Sequence, residues 1–169
     1  MRIAGDGEQA ETIDVTFVEV SEDNVAQLRQ LNLAIFPIKY PEVIYKQCLL
    51  SGPVSQLAFC GDKLIGGIAC RLEARKDGPG ARLHIMTLGV LAGYRSMGLG
   101  SLLVQRTLCQ ARDMGEVYDV FLHVQVDNDA ALEFYQVSCR QRCHQPRASV
   151  GQLMRASLCT DPRRTSGSS

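Results

Sequence analysis

Residues 83–135 constrain the fold more than any other stretch of this chain. An apolar run, LHIMTLGVL, leads into Arg95-Ser-Met-Gly98-Leu-Gly100. Behind that turn Leu103, Thr107, Ala111 and Met114 recur at helical spacing, with Val104 and Leu108 beside them, and Gly115 closes the helix. A second apolar run, VYDVFLHVQV, follows, and Asn128 opens a short helix, NDAALEFY. The glycine turn is chemically pointed. Where a strand passes through a Gly loop into a helix, unpaired backbone N–H groups and the positive end of the helix dipole face outward together, which suits a pyrophosphate. Gly98 and Gly100 lack Cβ and let an anion approach the main chain. Taken alone, R-x-x-G-x-G is a weak signal that a plain helix start also produces. Its placement between two strands gives it weight.

Upstream, TIDVTFVEV (12–20) alternates and reads as a first strand. Ser21 is placed to cap a helix whose apolar stripe is Leu28, Leu31 and Ile35, with Glu22 and Asp23 in the first turn. Pro37 stops that helix near Phe36. A short second helix is expected over Val43–Leu50, ended by Ser51, Gly52 and Pro53. QLAFC and LIGGIACRLEA, separated by Gly61-Asp62-Lys63, form a hairpin, and Gly66 and Gly67 mark a bulge or a close backbone approach. RKDGPGAR turns the chain back into LHIMTLGVL. The order is that of an α/β domain with a mixed sheet, without internal repeats.

At 46% hydrophobic and 21% charged residues, the chain has a globular composition and the length of one domain. Its formal net charge is zero, which gives no strong field toward nucleic acid or an anionic membrane. MRIAGDGEQAETID has no apolar run of the kind that makes a signal peptide or anchor. Seven cysteines, an odd number, read as reduced thiols of a cytoplasmic or nuclear protein. Cys139, Cys143 and His144 lack the second pair a zinc site needs, and no metal is expected. From Cys139 onward there are six arginines and one acid, a basic tail.

V-x-x-x-Y-R-x-x-G-x-G (from Val90) followed by N-x-x-A-x-x-F-Y (from Asn128) resembles the GNAT superfamily of acetyltransferases. Leu31–Tyr40, Ile85–Leu91 and Tyr118–Asn128 narrow the likeness to its NatE-type N-terminal acetyltransferases, over roughly Val15 to Tyr135. That resemblance implies the GNAT fold, a mixed central sheet flanked by helices in which two parallel strands, here 83–91 and 117–126, splay apart to receive acetyl-CoA. It implies transfer of acetyl to the α-amino group of nascent or free proteins that begin Met followed by a hydrophobic residue; the alternatives are a GNAT acting on lysine or small amines, or a catalytically impaired acetyl-CoA-binding subunit of an N-terminal acetyltransferase complex. It also implies association with the NatA catalytic and auxiliary subunits. Leu88, Gly89, Val90, Arg95, Ser96, Met97, Gly98, Leu99, Gly100 and Ser101 fall in its cofactor-binding segment, and Asn128 and Tyr135 beside the thioester, where the Tyr135 phenol could protonate the leaving thiolate. Phe36, Pro37, Ile38, Tyr40 and Met86 fall at the substrate peptide. His123 falls at the general base. An imidazole near pKa 6.5 can take a proton from an ammonium at neutral pH, although a lone His in an apolar strand also reads as a core residue.

Two departures stand out. The family pattern has tyrosine where this chain has His84, a residue expected to share the handling of the catalytic water. After F-Y the family continues with a Gly-Phe strand pair and a Tyr-Tyr segment, whereas this chain reads QVSCRQRCHQPRASVGQLMRASLC. The C-terminal strands are therefore expected to be missing or altered. The reading divides the chain into a flexible 1–11, an acetyltransferase domain over 12–136, and an atypical, largely disordered basic tail over 137–169.

Overall fold

The computed structural model describes residues 1–4, 12–124 and 128–140. Two short strands, β1 (Arg2–Ala4) and β2 (Thr12–Asp14), pair with each other, and then a five-stranded sheet is built from β3 (Thr16–Glu19), β4 (Gln56–Cys60), β5 (Lys63–Ala74), β6 (Ala81–Val90) and β7 (Val117–Leu122) in that spatial order. Neighbours are antiparallel up to β6, and β6–β7 is parallel. Helices α1 (Val25–Ile35) and α2 (Glu42–Leu50) link β3 to β4, α3 (Leu99–Asp113) links β6 to β7, and α4 (Asp129–Arg140) follows. A parallel neighbour cannot be reached by a hairpin, and α3 supplies the crossover. No helix among the described residues is long and apolar enough to cross a membrane.

The two faces of the sheet carry separate apolar clusters. On one, Ile68, Cys70, Leu83 and Ile85 pack with Leu99, Leu103 and Val104 of α3. On the other, Leu57 and Ala69 pack with Leu28 of α1 and Tyr45 and Cys48 of α2. β4 stops matching β5 at Gln56↔Ile68, and the next outward amides of β5 are satisfied by serines instead. Cys70 N–H donates to Ser55 Oγ at 2.9 Å and Leu72 N–H to Ser51 Oγ at 3.1 Å. The loop after α2 thus holds the far half of β5 in place.

Several local expectations are corrected. TIDVTFVEV is two strands, broken at the buried Val15, whose N–H and C=O both pair with Met1. The segment expected to be flexible therefore contributes a strand, Arg2–Ala4, while 5–11 lie outside the described residues. Ser21 does not cap α1. Its N–H donates to Asn24 Oδ1 at 2.9 Å, making a turn that precedes the helix, and Asn24 is the boundary residue. α4 continues past Tyr135 to Arg140, beyond the proposed domain end at 136; residues 141–169 lie outside the described residues, as does the expected end of the last strand at 125–126. Among the described residues β7 ends at Leu122 and is the terminal strand.

Gly66 and Gly67 mark a close approach. A Cβ on Gly67 would sit 3.1 Å from Leu31 Cδ2 and 3.2 Å from Leu57 Cδ2. Gly67→Val should therefore push α1 off the sheet and destabilise the fold by about 1–3 kcal/mol, the usual cost of overpacking. Urea unfolding checks this, and an unchanged midpoint would contradict the packing described.

Candidate active site

The site is organised by an irregularity in β6. Opposite β5 the register passes from Ala69↔Thr87 to Cys70↔Ile85, leaving Met86 as an extra residue. A bulge of this kind reverses which side chains face which side of a sheet. Before it, Leu83 and Ile85 pack with the α3 cluster while Arg82, His84 and Met86 face α1 and α2; after it, Leu88 and Val90 turn to the α3 side. At the same point β6 and β7 part company. Their pairing ends at Ile85↔Leu122, although β6 runs on to Val90. The half of β6 beyond Ile85 consequently has no partner in β7.

On the α3 side of this parting is a cavity of about 490 Å³. Leu88 and Val90 of β6 form one wall, Arg95, Ser96, Gly98, Leu99, Gly100 and Ser101 the turn and helix start, and Tyr135 of α4 the opposite wall. Gly98 precedes α3 with φ +74°, and no side chain caps that helix end. Nothing lies within 4 Å of where a Gly98 Cβ would project, and the first residues of this 15-residue helix line the cavity, where a helix N-terminus leaves unpaired amides. Ser96 also has a positive φ, +61°, and Arg95 Nε donates to Val90 O at 3.1 Å, tying the loop to the end of the strand. These features fit a pyrophosphate-bearing ligand.

The remaining cofactor candidates are placed differently. Gly89 is buried on the opposite face, where a Cβ would meet Ile35 Cδ1 at 2.8 Å, so its smallness serves the packing of α1. Gly100 is bare for a reason other than anion approach: a Cβ there would meet the ring of Phe134 at 3.3 Å. Met97 does not line the cavity, nor does Asn128, whose Oδ1 caps α4 by accepting from Ala131 N–H at 3.1 Å. Tyr94, Ala131 and Phe134 also line the cavity; they belong to the two quoted motifs but were not assigned to the site, although Ala131, Phe134 and Tyr135 share a helix face.

Across the sheet are the two histidines. His84 Nε2 and His123 Nδ1 are 2.8 Å apart, and the His84 ring stacks on Phe121 with centroids 4.5 Å apart. Burial first, then the positive charge of Arg71, lowers the His84 pKa to about 4, so this ring is neutral at physiological pH. His123, just past β7, is exposed. Of the peptide candidates, Phe36 reaches Gly89 and meets Tyr40 edge-on at 5.6 Å, while Tyr40 and Met86 pack against the α1–α2 cluster. Pro37 and Ile38 are exposed beside them. Desolvation raises the Tyr40 pKa, which keeps the phenol protonated. Among the described residues no group of three metal-binding side chains occurs.

A sheet that parts beside a helix N-terminus, with a cavity on one face and basic side chains on the other, is a frame for moving a group from a phosphate-anchored carrier. Residues 18–139 match the family model described as acetyltransferase (GNAT) family. The chain belongs to that family. It is 36% identical over 118 residues to a probable N-acetyltransferase san of Drosophila melanogaster, covering 70% of this chain and 63% of that protein. It is 37% identical over 118 residues to N-alpha-acetyltransferase 50 of Danio rerio, covering 70% of this chain and 69% of that protein. The match therefore spans less than two thirds of the Drosophila protein's length. Among solved structures, the Arabidopsis thaliana counterpart of the zebrafish protein, in complex with the bisubstrate analogue CoA-Ac-MVNAL, superposes with a TM-score of 0.67 at 38% identity, covering 74% of this chain and 82% of that one. An aminoglycoside acetyltransferase from a soil metagenomic sample, in complex with trehalose, shares the fold at TM-score 0.59 and 20% identity, over 73% of this chain and 86% of that one.

Two measurements test this geometry. Gly98→Val puts a branched side chain where an anion must approach and strains a backbone at φ +74°. Calorimetry should show acetyl-CoA binding weakened at least tenfold, about 1.4 kcal/mol; equal affinity in a folded variant would remove the loop from the binding site. The second concerns His84. The unfolded chain takes its proton near the ordinary 6.5 and the folded chain only near about 4. The stability associated with the neutral ring is thus complete above roughly pH 6.5 and lost as pH falls toward about 4. Urea midpoints should drop between roughly pH 7 and 5, and drop less in His84→Phe; identical profiles would contradict a neutral buried ring.

Proposed function

We propose that the chain transfers the acetyl group of acetyl-CoA to the α-amino group of protein N-termini, with Met followed by a hydrophobic residue as the substrate end. The observation that carries this reading is the pairing of the two halves of the site through the parted strands. The cavity with the helix N-terminus is on the α3 side, and the His84–His123 pair is on the α1–α2 side, the side on which Tyr40 and Met86 pack. The Arabidopsis relative's complex joins CoA to an acetylated peptide beginning Met-Val, the same combination of ligands.

Acetyl-CoA supplies the activated acyl group as a thioester. The protein's own residues do the rest. The amides at the start of α3, with Arg95 bracing the loop, face the pyrophosphate, and the unpaired edge of β6 beyond Ile85 offers hydrogen bonds to the extended arm. Phe36, Tyr40 and Met86 give the Met side chain an apolar seat, and the exposed Ile38 meets the next residue. His123 takes a proton from the ammonium, directly or through water, and the neutral amine then forms the C–N bond as the C–S bond breaks. The phenol of Tyr135, at the cavity wall, gives a proton to the departing thiolate and is restored by the second proton, which the nitrogen sheds as it becomes an amide. This division of labour follows the matched motifs and the placement of each residue.

The resemblance read from the sequence supports contact with the NatA subunits, which co-purification from cells with the tagged chain tests; the odd number of cysteines supports a cytoplasmic or nuclear location, which imaging of the tagged chain tests.

A mass-spectrometric screen of N-terminal peptides with acetyl-CoA tests the activity. Met-Leu and Met-Val peptides should be acetylated on the α-amine well ahead of free lysine or small amines, and the opposite order would overturn the reading. His123→Ala should lower turnover about 10²-fold while leaving acetyl-CoA affinity intact. Wild-type turnover in that variant would return His123 to a structural role.

A further inference from the structure

Glu73 of β5 stands beside the histidine pair. The β5–β6 register sets Arg71 opposite His84 and Glu73 opposite Arg82, all on the face covered by α1 and α2. Glu73 Oε1 is 2.5 Å from Arg71 Nη2 and 3.8 Å from His84 Nδ1. That His84 nitrogen is buried and has no hydrogen-bond partner among the described residues. The other ring nitrogen, Nε2, makes the 2.8 Å contact with His123 Nδ1.

A contact of that length between neutral imidazoles needs one proton and one lone pair, and only two arrangements provide them. In the first, His84 carries its proton on Nε2 and donates it to His123. Its Nδ1 then turns a lone pair toward a carboxylate, and His123 must hold its own proton on Nε2, where it cannot accept another. In the second, His84 carries its proton on Nδ1, facing Glu73. Its Nε2 accepts from His123 Nδ1–H, and His123 Nε2 keeps a free lone pair. The carboxylate favours the second, and partial burial strengthens the preference.

We propose that Glu73 is a positioning residue whose carboxylate holds the His84 proton on Nδ1 and so, through His84, keeps Nε2 of His123 free to receive the proton of the incoming amine. The inference rests on His123 as the base in the proposed reaction. The first of the two protons that the nitrogen loses is accounted for by this pair and water. The ammonium gives one proton to His123 Nε2, the resulting imidazolium keeps its Nδ1–H on His84 Nε2, and the same proton later leaves from Nε2 to water. Glu73 provides the negative end of the row while His123 is charged. Arg71 on β5 and Arg82 on β6 oppose any charge on His84, Glu73 favours it, Arg82 is engaged by Asp119 of β7 at 2.8 Å, and α2 contributes Gln47, within 3.4 Å of Arg71 Nη1. His84 therefore relays orientation without itself becoming protonated. Arg71 Nε is also buried and without a hydrogen-bond partner among the described residues, and donation from it to His84 Nδ1 would impose the opposite arrangement.

Long-range ¹⁵N–¹H NMR of the histidine rings in the whole chain at about pH 7.5 decides between the two. The expected spectrum has His84 protonated on Nδ1 and His123 bare on Nε2; His84 protonated on Nε2 overturns the proposal whatever the activity. Kinetics add a second arm. Glu73→Gln should shift the His123 signals toward the other tautomer and lower kcat about tenfold with KM for acetyl-CoA unchanged, and Glu73→Asp should recover part of the loss. In a His84→Tyr background the phenol has a single proton whose place does not depend on a neighbour, so the factor lost to Glu73→Gln should shrink. An equal loss in both backgrounds would show that Glu73 acts only on the fold. Should Glu73→Gln not fold, the wild-type spectrum still decides. The expected tautomers in a chain that acetylates no N-terminal peptide would sink the proposed activity and leave the proton arrangement standing.

Discussion

The separation of β6 from β7 beyond Ile85 and Leu122 is the constraint on which the rest of the site depends. A parallel pair that stayed in register would use its facing amides and carbonyls on itself and would seal the sheet between its two helical layers. Here the extra residue at Met86 ends the regular ladder and turns the following side chains over. One strand thus presents Arg82, His84 and Met86 to α1 and α2, and Leu88 and Val90 to α3 and α4. Two chemically different surfaces meet at one gap, an uncapped helix start on one side and a pair of histidines on the other.

The supports of that arrangement are spread through the fold. Ser51 and Ser55 hold the amides of β5 where β4 has ended, and that half of β5 carries Arg71 and Glu73 to the histidines. Gly67 and Gly89 are small so that α1 can lie close to the sheet, with Phe36 at its C-terminal end against the open half of β6. Phe134 occupies the space a side chain at Gly100 would need, which joins α4 to α3 and brings Tyr135 to the cavity. Each of these contacts sets an angle or a depth at the site, and none of them bears on the chemistry directly.

The fold alone leaves the substrate open. An aminoglycoside acetyltransferase shares it at 20% identity. On the α1–α2 side this chain has Phe36 against Tyr40 and a histidine pair, where the resemblance read from the sequence expects a tyrosine with the histidine. A second imidazole differs from a phenol in a physically definite way. It has two nitrogens and one proton, so its behaviour depends on which neighbour fixes that proton.

The sequence by itself determined the order of elements from α1 to α4 and the glycine loop that opens α3. Strand, glycine loop and helix are contiguous in the chain, and backbone geometry at Gly98 follows from local chemistry that a run of a few residues can announce. α1 ended where Pro37 required, the hairpin formed between its two apolar runs, and Gly115 closed α3. Local rules failed where a distant partner competed. Asn24 displaced Ser21 at the start of α1 by bonding backward to Glu19, and Val15 left its strand to pair with Met1. Only the tertiary structure decided what Gly89 and Gly100 are for, that Met86 is a bulge, and that Glu73 stands by His84. Those facts depend on register between strands and on which helix covers which face. A pattern of period two cannot specify them, because a single extra residue exchanges the faces of everything that follows.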